Sequence, residues 1–413
     1  MSSNSTNKTY GKVLAVKLGN TPVGTLTLLN SEQTLFAFED SYINDSERPT
    51  LSLSFKTASG GLRTKARPTQ TRVPPFFSNL LPEGPLRQLL AERAGVHPDR
   101  EFFLLSALKD DLPGAVVLSV LEIGEVSEGP RVAAVNNFEQ NALRFSLAGV
   151  QLKFSAVMSA TGGLTVPVDG VDGKWIVKLP SMRYPSVPEN EFSMMQYAKK
   201  VGMNIPEVRL ISTNLIKGLP EGLPENFGTS LAIKRFDRDD IGNRTHIEDF
   251  AQVYGLFPEQ KYKEVSYRDI ASLLWIESGH DAIVEFIRRL VFNLGIGNAD
   301  MHSKNWSLIY PNKRTPELSP GYDFVSTVAY LPDNNLGLSL VGKKNMYEIT
   351  TEDFRRLATK AGLPEKLVMD TVSDTVTKMH DSWKVIKKDF PLPSSIAKKI
   401  ESHMKNVPVM ALQ

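Results

Sequence analysis

The period of the apolar residues changes along this chain, which limits it to a mixed fold with its helices gathered late. From Tyr10 to about Leu53 apolar and polar residues alternate, and Gly19-Asn20 interrupts the alternation. A period of two broken by Gly-Asn predicts β-hairpins. Beyond Arg238 the period becomes helical: Ile283, Phe286, Ile287, Leu290, Val291 and Leu294 line one helix face, and Gly295 and Gly297 end that helix.

At 413 residues the chain exceeds what one core usually holds. Residues 1–125 form a first unit, with hairpins and a helix over Pro85 to Ala94 carrying Leu86, Leu89 and Leu90 at helical spacing. The polar, turn-rich stretch from Gly124 to Asn137 marks its end. Residues 138–234 read as strands around one helix, which Pro188-Glu189-Asn190 opens and Gly202 closes, with a further strand at Ser230 to Ile233. Residues 235–413 read as mostly helical, including the tail from about Val341. The fold class is α+β.

With 48 basic against 46 acidic residues, no global field draws the chain to a polyanion. Cysteine is absent, which excludes disulfides, thiolate zinc sites and cysteine nucleophiles and suits a reducing cytoplasm. No apolar run approaches the roughly 18 residues of a membrane helix, and the first residues lack a secretory core, so no membrane partner is expected.

The most informative stretch is Gly297-Asn-Ala-Asp-Met-His-Ser-Lys-Asn305, between the apolar helix and the strand Trp306 to Tyr310, followed by Tyr322-Asp-Phe324. Phosphoryl transfer needs a carboxylate to position or deprotonate the attacking hydroxyl, and hard oxygens for a magnesium ion that bridges phosphates. Asp300, Asn305 and Asp323 supply such a set. Lys304 could lie against a γ-phosphate or simply face water. The bland alternative is that Asp300 and Asn305 cap turns and Asp323 starts a helix.

Upstream, Lys178 ends the apolar run Trp175-Ile-Val-Lys-Leu-Pro180, where an unpaired lysine would be costly to bury. Glu191, opening the next helix, is its natural partner. Ser146-Leu-Ala-Gly-Val-Gln-Leu-Lys153 has one glycine and does not match a P-loop. A Gly-x-Ser-x-Gly elbow, a His-Glu-x-x-His pair and a dinucleotide fingerprint are all missing from the sequence.

Taken in order, these segments resemble HipA-type serine/threonine kinases, the toxin half of bacterial toxin-antitoxin pairs. The resemblance rests on Phe77-Ser-Asn-Leu-Leu-Pro-Glu-Gly84, Gly114-Ala115, Phe145 through Lys153, Ile176-Val-Lys-Leu-Pro180, Asn190-Glu-Phe192, Arg235-Phe-Asp-Arg238, His246-Ile-Glu-Asp249, Gly297 through Asn305 and Tyr322-Asp-Phe324. It implies a two-lobed protein-kinase-like fold akin to phosphatidylinositol kinases, preceded by a small N-terminal α/β module and ending in a mostly helical lobe.

The resemblance also implies ATP and Mg2+ as cofactors. Asp300 becomes the catalytic base, Asn305 and Asp323 the magnesium ligands, and Lys178 the phosphate contact. Ala148, Gly149, Val150, Gln151, Leu152 and Lys153 become the phosphate loop, although the family commonly has an acidic residue where Leu152 stands. Lys234 and Phe236 would bracket the adenine through backbone groups, Asp237 would lie near the ribose, and Gln252, His302 and Lys304 would be further nucleotide neighbours. Ser146 matches the family's autophosphorylated serine. Implied partners are a HipB-like helix-turn-helix antitoxin, operator DNA through it, and a protein substrate such as an aminoacyl-tRNA synthetase. Between Lys343 and Lys405, 13 Lys and Arg face 9 Asp and Glu, a mild excess that could touch DNA phosphates or be merely solvated. A catalytically silent corepressor that clamps the antitoxin on DNA, and a small-molecule kinase, are the competing readings.

Overall fold

The computed structural model describes residues 10–29, 32–65, 67–109, 112–124, 153–158, 164–165, 173–219 and 227–411. Ser146, Ala148, Gly149, Val150, Gln151 and Leu152, and the expected boundary after Gly124, lie outside the described residues.

The N-terminal module is an antiparallel sheet with helices on one side. The alternating segments form β1 (Tyr10–Leu18), β2 (Thr21–Leu28) and β3 (Gln33–Phe38), joined by β4 (Thr69–Gln70) and β5 (Val116–Gly124) in the order β4-β3-β2-β1-β5. Helices α1 (Asp40–Asn44), α2 (Pro75–Ser78), α3 (Gly84–Ala94) and α4 (Glu101–Ala107) complete the module. Its core holds Leu14, Val16, Leu26, Phe36, Phe77, Phe102 and Val116, all buried.

A second sheet of six strands has the order β10-β7-β6-β8-β11-β9, from β6 (Lys153–Met158), β7 (Leu164–Thr165), β8 (Trp175–Lys178), β9 (Val208–Ser212), β10 (Ile216–Lys217) and β11 (Thr229–Lys234). Helix α5 (Val187–Val201) packs against it through Met194, Met195 and Ala198. The register of β6 and β8 pairs Lys153 with Lys178, placing both lysines at the same end of the sheet.

The large lobe contains β12 (His246–Asp249), α6 (Phe250–Val253), α7 (Tyr267–Glu277), α8 (Gly279–Ile296), β13 (Ser307–Tyr310) and β14 (Glu317–Leu318). It continues with β15 (Asn335–Leu340), β16 (Lys343–Asn345), α9 (Thr351–Ala361), α10 (Glu365–Asp389) and α11 (Ser394–Asn406). All six stripe residues of α8 are buried. That helix stops at Gly297, whose φ of 66° suits glycine and which caps the Asn293 and Leu294 carbonyls. The tail differs from expectation at its start: residues 335–345 form a hairpin before the helices begin.

The module docks on the large lobe through polar bonds. Asp237 is buried and takes both Arg235 and Arg238, while the Gly114 N–H donates to its Oδ2 at 2.8 Å. Arg238 also donates to the carbonyls of Gly114 and Leu112, each at 2.9 Å. Gly114 stands at φ 68°, and a Cβ there would meet the Ile247 nitrogen at 2.8 Å, so this close backbone approach requires glycine. Nearby, Glu248 accepts from the Leu53 N–H at 3.0 Å and from the Tyr310 hydroxyl, and His246 donates from Nε2 to the Leu51 carbonyl at 2.7 Å.

Candidate active site

The loop after α8 is held in place by backbone and side-chain bonds from three directions. Asn298, fully buried, donates to Asn293 Oδ1 at 2.9 Å and to the Asp323 carbonyl at 3.4 Å, and its own Oδ1 accepts from the Asp300 N–H at 3.1 Å. Thr327 accepts from the Ala299 N–H at 2.8 Å. The Tyr267 hydroxyl donates to the Met301 carbonyl at 2.9 Å. From the far side β15 presses on the loop: a Cβ on Gly337 would come to 2.7 Å from the Met301 carbonyl carbon and 2.9 Å from the His302 nitrogen. Asp300 and Asp323 are therefore fixed by one connected framework.

Lys178 is buried and lies between two carboxylates, bonded to Glu191 at 2.5 Å and to Asp323. Burial works to lower the lysine's pKa, but Asp323 and Glu191 outweigh it and raise it, so the ammonium stays charged. Burial would raise Asp323, yet Lys178 and Lys153 hold it well below the usual carboxylate range. Glu191 is raised by burial, against the pull of Lys178. Asp323 has φ 61°, a left-handed conformation uncommon for a non-glycine residue and frequent at functional turns.

Asp300 faces this cluster. Burial and the Asp323 charge raise its pKa, opposed by a hydrogen bond from the Tyr262 hydroxyl to Oδ1. The Asn305 amide donates to the Asp300 carbonyl at 2.9 Å, leaving its Oδ1 as an acceptor. An amide oxygen and an ionised carboxylate beside a charged lysine are the donor types that suit magnesium sharing its sphere with phosphate and water.

His302 is buried and its pKa is pushed down to about 3, by burial first and by Lys261 second. It is a neutral imidazole at physiological pH. Lys304 bonds Glu83 of the module at 2.7 Å, and Lys261 bonds the other oxygen of the same carboxylate at 2.8 Å. Burial would raise the Glu83 pKa, but the two lysines bring it to about 2.

Of the residues singled out in the sequence, the structure brings together Lys178, Glu191, Asp300, His302, Lys304, Asn305 and Asp323, with Lys153 near enough for its charge to act on Asp300 and Asp323. Phe236 packs on Tyr322, the neighbour of Asp323, with ring centroids 5.9 Å apart. Two of the expected nucleotide neighbours have their side chains engaged within the protein. The Asp237 carboxylate is taken up by Arg235, Arg238 and the Gly114 N–H at the module seam. Gln252 caps α6 by accepting from the Asp249 N–H at 2.9 Å and donates to the Phe76 carbonyl at 2.9 Å. The Lys234 side chain turns outward to Asp240 at 2.8 Å, away from the backbone that the expected role uses. Glu83, Lys261 and Tyr262 were missed. Glu83 stood within the quoted Leu-Leu-Pro-Glu-Gly motif, whereas the polar segment holding Lys261 and Tyr262 carries no signal.

The sequence profile of the HipA-like C-terminal domain matches residues 145–383, and that of the HipA N-terminal domain matches residues 14–119. The chain belongs to the HipA family. Y4dM of Sinorhizobium fredii, named as a candidate kinase, is 51% identical over 96% of this chain and 97% of its own length. The serine/threonine-protein kinase toxin HipA of Shewanella oneidensis is 26% identical over 89% of this chain and 87% of its own. In three dimensions the chain is similar to the Shewanella oneidensis HipA solved with HipB and operator DNA, with a TM-score of 0.72, 21% identity and 96% of each chain covered. The HipA fold is thus a two-lobed, kinase-like α+β architecture behind an N-terminal module, and among the described residues no helix is long and apolar enough to cross a membrane.

Proposed function

We propose that this HipA-family chain is an active ATP- and Mg2+-dependent serine/threonine protein kinase serving as the toxin of a toxin-antitoxin pair. The observation that carries the reading is Lys178, buried and charged between Glu191 and Asp323, with Asp300 on the facing loop. A lysine, a helix glutamate, a metal-binding aspartate and a base form the constellation that phosphoryl transfer requires. A merely structural lysine would not need two carboxylates drawn from separate lobes, which disfavours a silent scaffold.

In this reading Lys178 and Lys153 orient the nucleotide phosphates, and Asp300 positions the acceptor hydroxyl and receives its proton. Asn305 and Asp323 would hold Mg2+, which supplies charge neutralisation across the phosphates. The neutral His302 fills space beside the base rather than acting as a cation. Lys234 and Phe236 would bracket the adenine through their backbone groups. The toxin role and a HipB-like antitoxin that reads operator DNA extend to this chain what the Shewanella oneidensis relative is named for. An aminoacyl-tRNA synthetase as target, and self-inactivation at Ser146 by a doubly charged phosphate, complete the proposal.

The test is intact-mass and peptide mass spectrometry after incubation with Mg-ATP, comparing the native chain with Asp300→Asn. Phosphate on Ser146 in the native chain alone supports the reading. A native chain that neither gains phosphate nor forms ADP faster than Asp300→Asn refutes it.

A further inference from the structure

The contact that the family reading leaves unused is the phenol of Tyr262. Its hydroxyl donates to Oδ1 of Asp300, the carboxylate assigned above as the base. Tyr262 belongs to the segment between α6 and α7, remote in sequence from the catalytic loop. Several bonds fasten that segment to the loop. The Lys261 carbonyl accepts from the Ser303 N–H at 3.1 Å and from the Ser303 hydroxyl at 3.0 Å. The Lys261 ammonium bonds Glu83 of the module at 2.8 Å. The Tyr262 ring stands edge-on to the buried His302, with centroids 4.9 Å apart and an interplanar angle of 86°. The phenol is thus located by backbone, by an ion pair and by a ring contact, although the residue is 40% exposed.

We propose that Tyr262 is a positioning residue for phosphoryl transfer, fixing the rotation of the Asp300 carboxylate so that Oδ2 is the oxygen that meets the acceptor hydroxyl. The inference rests on the kinase reading of Asp300. A carboxylate on a short side chain turns freely about χ2 unless one oxygen is held, and the two-fold well is broad. With Oδ1 engaged by a donor, the second oxygen has one direction to point. Burial and the neighbouring Asp300, Glu83 and Asp323 raise the phenol's pKa, so it remains a donor across the physiological range. Through Lys261, the same arrangement makes the module's Glu83 an indirect support of the base.

Because Tyr262 acts through Asp300, its removal should slow the chemical step without weakening nucleotide binding. The experiment measures ADP formation from Mg-ATP, which reports transfer to any acceptor, together with the melting midpoint, for the native chain, Tyr262→Phe and Asp300→Asn. In Tyr262→Phe, kcat falls by about tenfold, KM for ATP stays within about twofold, and the melting midpoint is unchanged. An unchanged or raised kcat overturns the inference and makes the phenol a plug that substrate must displace. A fall in kcat accompanied by a higher KM or a lower melting midpoint also overturns it, because a structural role would do the same. If native and Asp300→Asn form ADP equally, the kinase reading fails and this inference falls with it.

Discussion

Glu248 offers a stability measurement whose sign the structure dictates. It is fully buried at the seam, and its Oε1 accepts from the Leu53 N–H and the Tyr310 hydroxyl, while Oε2 has no partner. Burial raises its pKa from 4.5 to about 7, against the pull of the nearby Ser52 hydroxyl and of the Tyr310 and Leu53 hydrogen bonds, with Asp249 adding to the rise. Between those two values the folded chain retains a proton that the unfolded chain has released. Stability therefore falls as pH rises through this window, by about 1.4 kcal/mol per pH unit and about 3 kcal/mol in total. Its neighbour His246 masks the effect. Burial lowers the His246 pKa to about 4, against its hydrogen bond to Leu51 and the Asp237 charge, so its contribution rises with pH over nearly the same range. Glu248→Gln separates the two, because the amide mimics the protonated acid and cannot ionise. In urea unfolding followed by near-ultraviolet circular dichroism, native and variant should match near pH 4.5. The variant should then gain steadily and stand about 3 kcal/mol above native at pH 7.5. A difference that stays constant from pH 4.5 to 7.5, or one that shrinks, would refute a neutral buried acid at this seam.

Two further outcomes test the site and its support. Asp237→Asn should cost about 3 kcal/mol of stability by weakening a buried ion cluster, yet leave KM for ATP within about twofold; a large rise in KM would restore Asp237 to the nucleotide site. Gly337→Ala should push the backbone at Met301 and His302, lowering ADP formation by about tenfold or more while the chain stays folded, and native-like turnover would show that β15 does not set the loop position.

The parts of the site legible in the sequence were those where one segment carried its own physical demand. A lysine at the end of an apolar strand requires a carboxylate, and Glu191 at the start of the next helix answers it. A buried helix ended by Gly297 necessarily delivers the following polar loop to one place. The double pairing of Lys178 with Asp323 was less accessible, because it joins residues far apart in the chain. Glu83, Lys261 and Tyr262 come from polar stretches without period, and their roles exist only once the module and the large lobe meet. For Asp237 the resemblance supplied a role without geometry. Its flanking Arg235 and Arg238 were the local hint of an ion cluster instead. The hairpin of β15 and β16 was hidden by the strong helical period that follows it.

The seam has a consequence for how the chain can be divided. The bonds described between the module and the remainder run from residues 51–114 to residues 237–304, passing over the small-lobe sheet that intervenes in the sequence. Segments more than a hundred residues apart in the polypeptide are neighbours in space. Two fragments made by opening the backbone between Gly124 and Lys153 would each retain one face of a shared, largely buried junction. Co-expressed, they should find each other without a covalent link, so a tether inserted there would change the length of the connection and leave the junction itself intact.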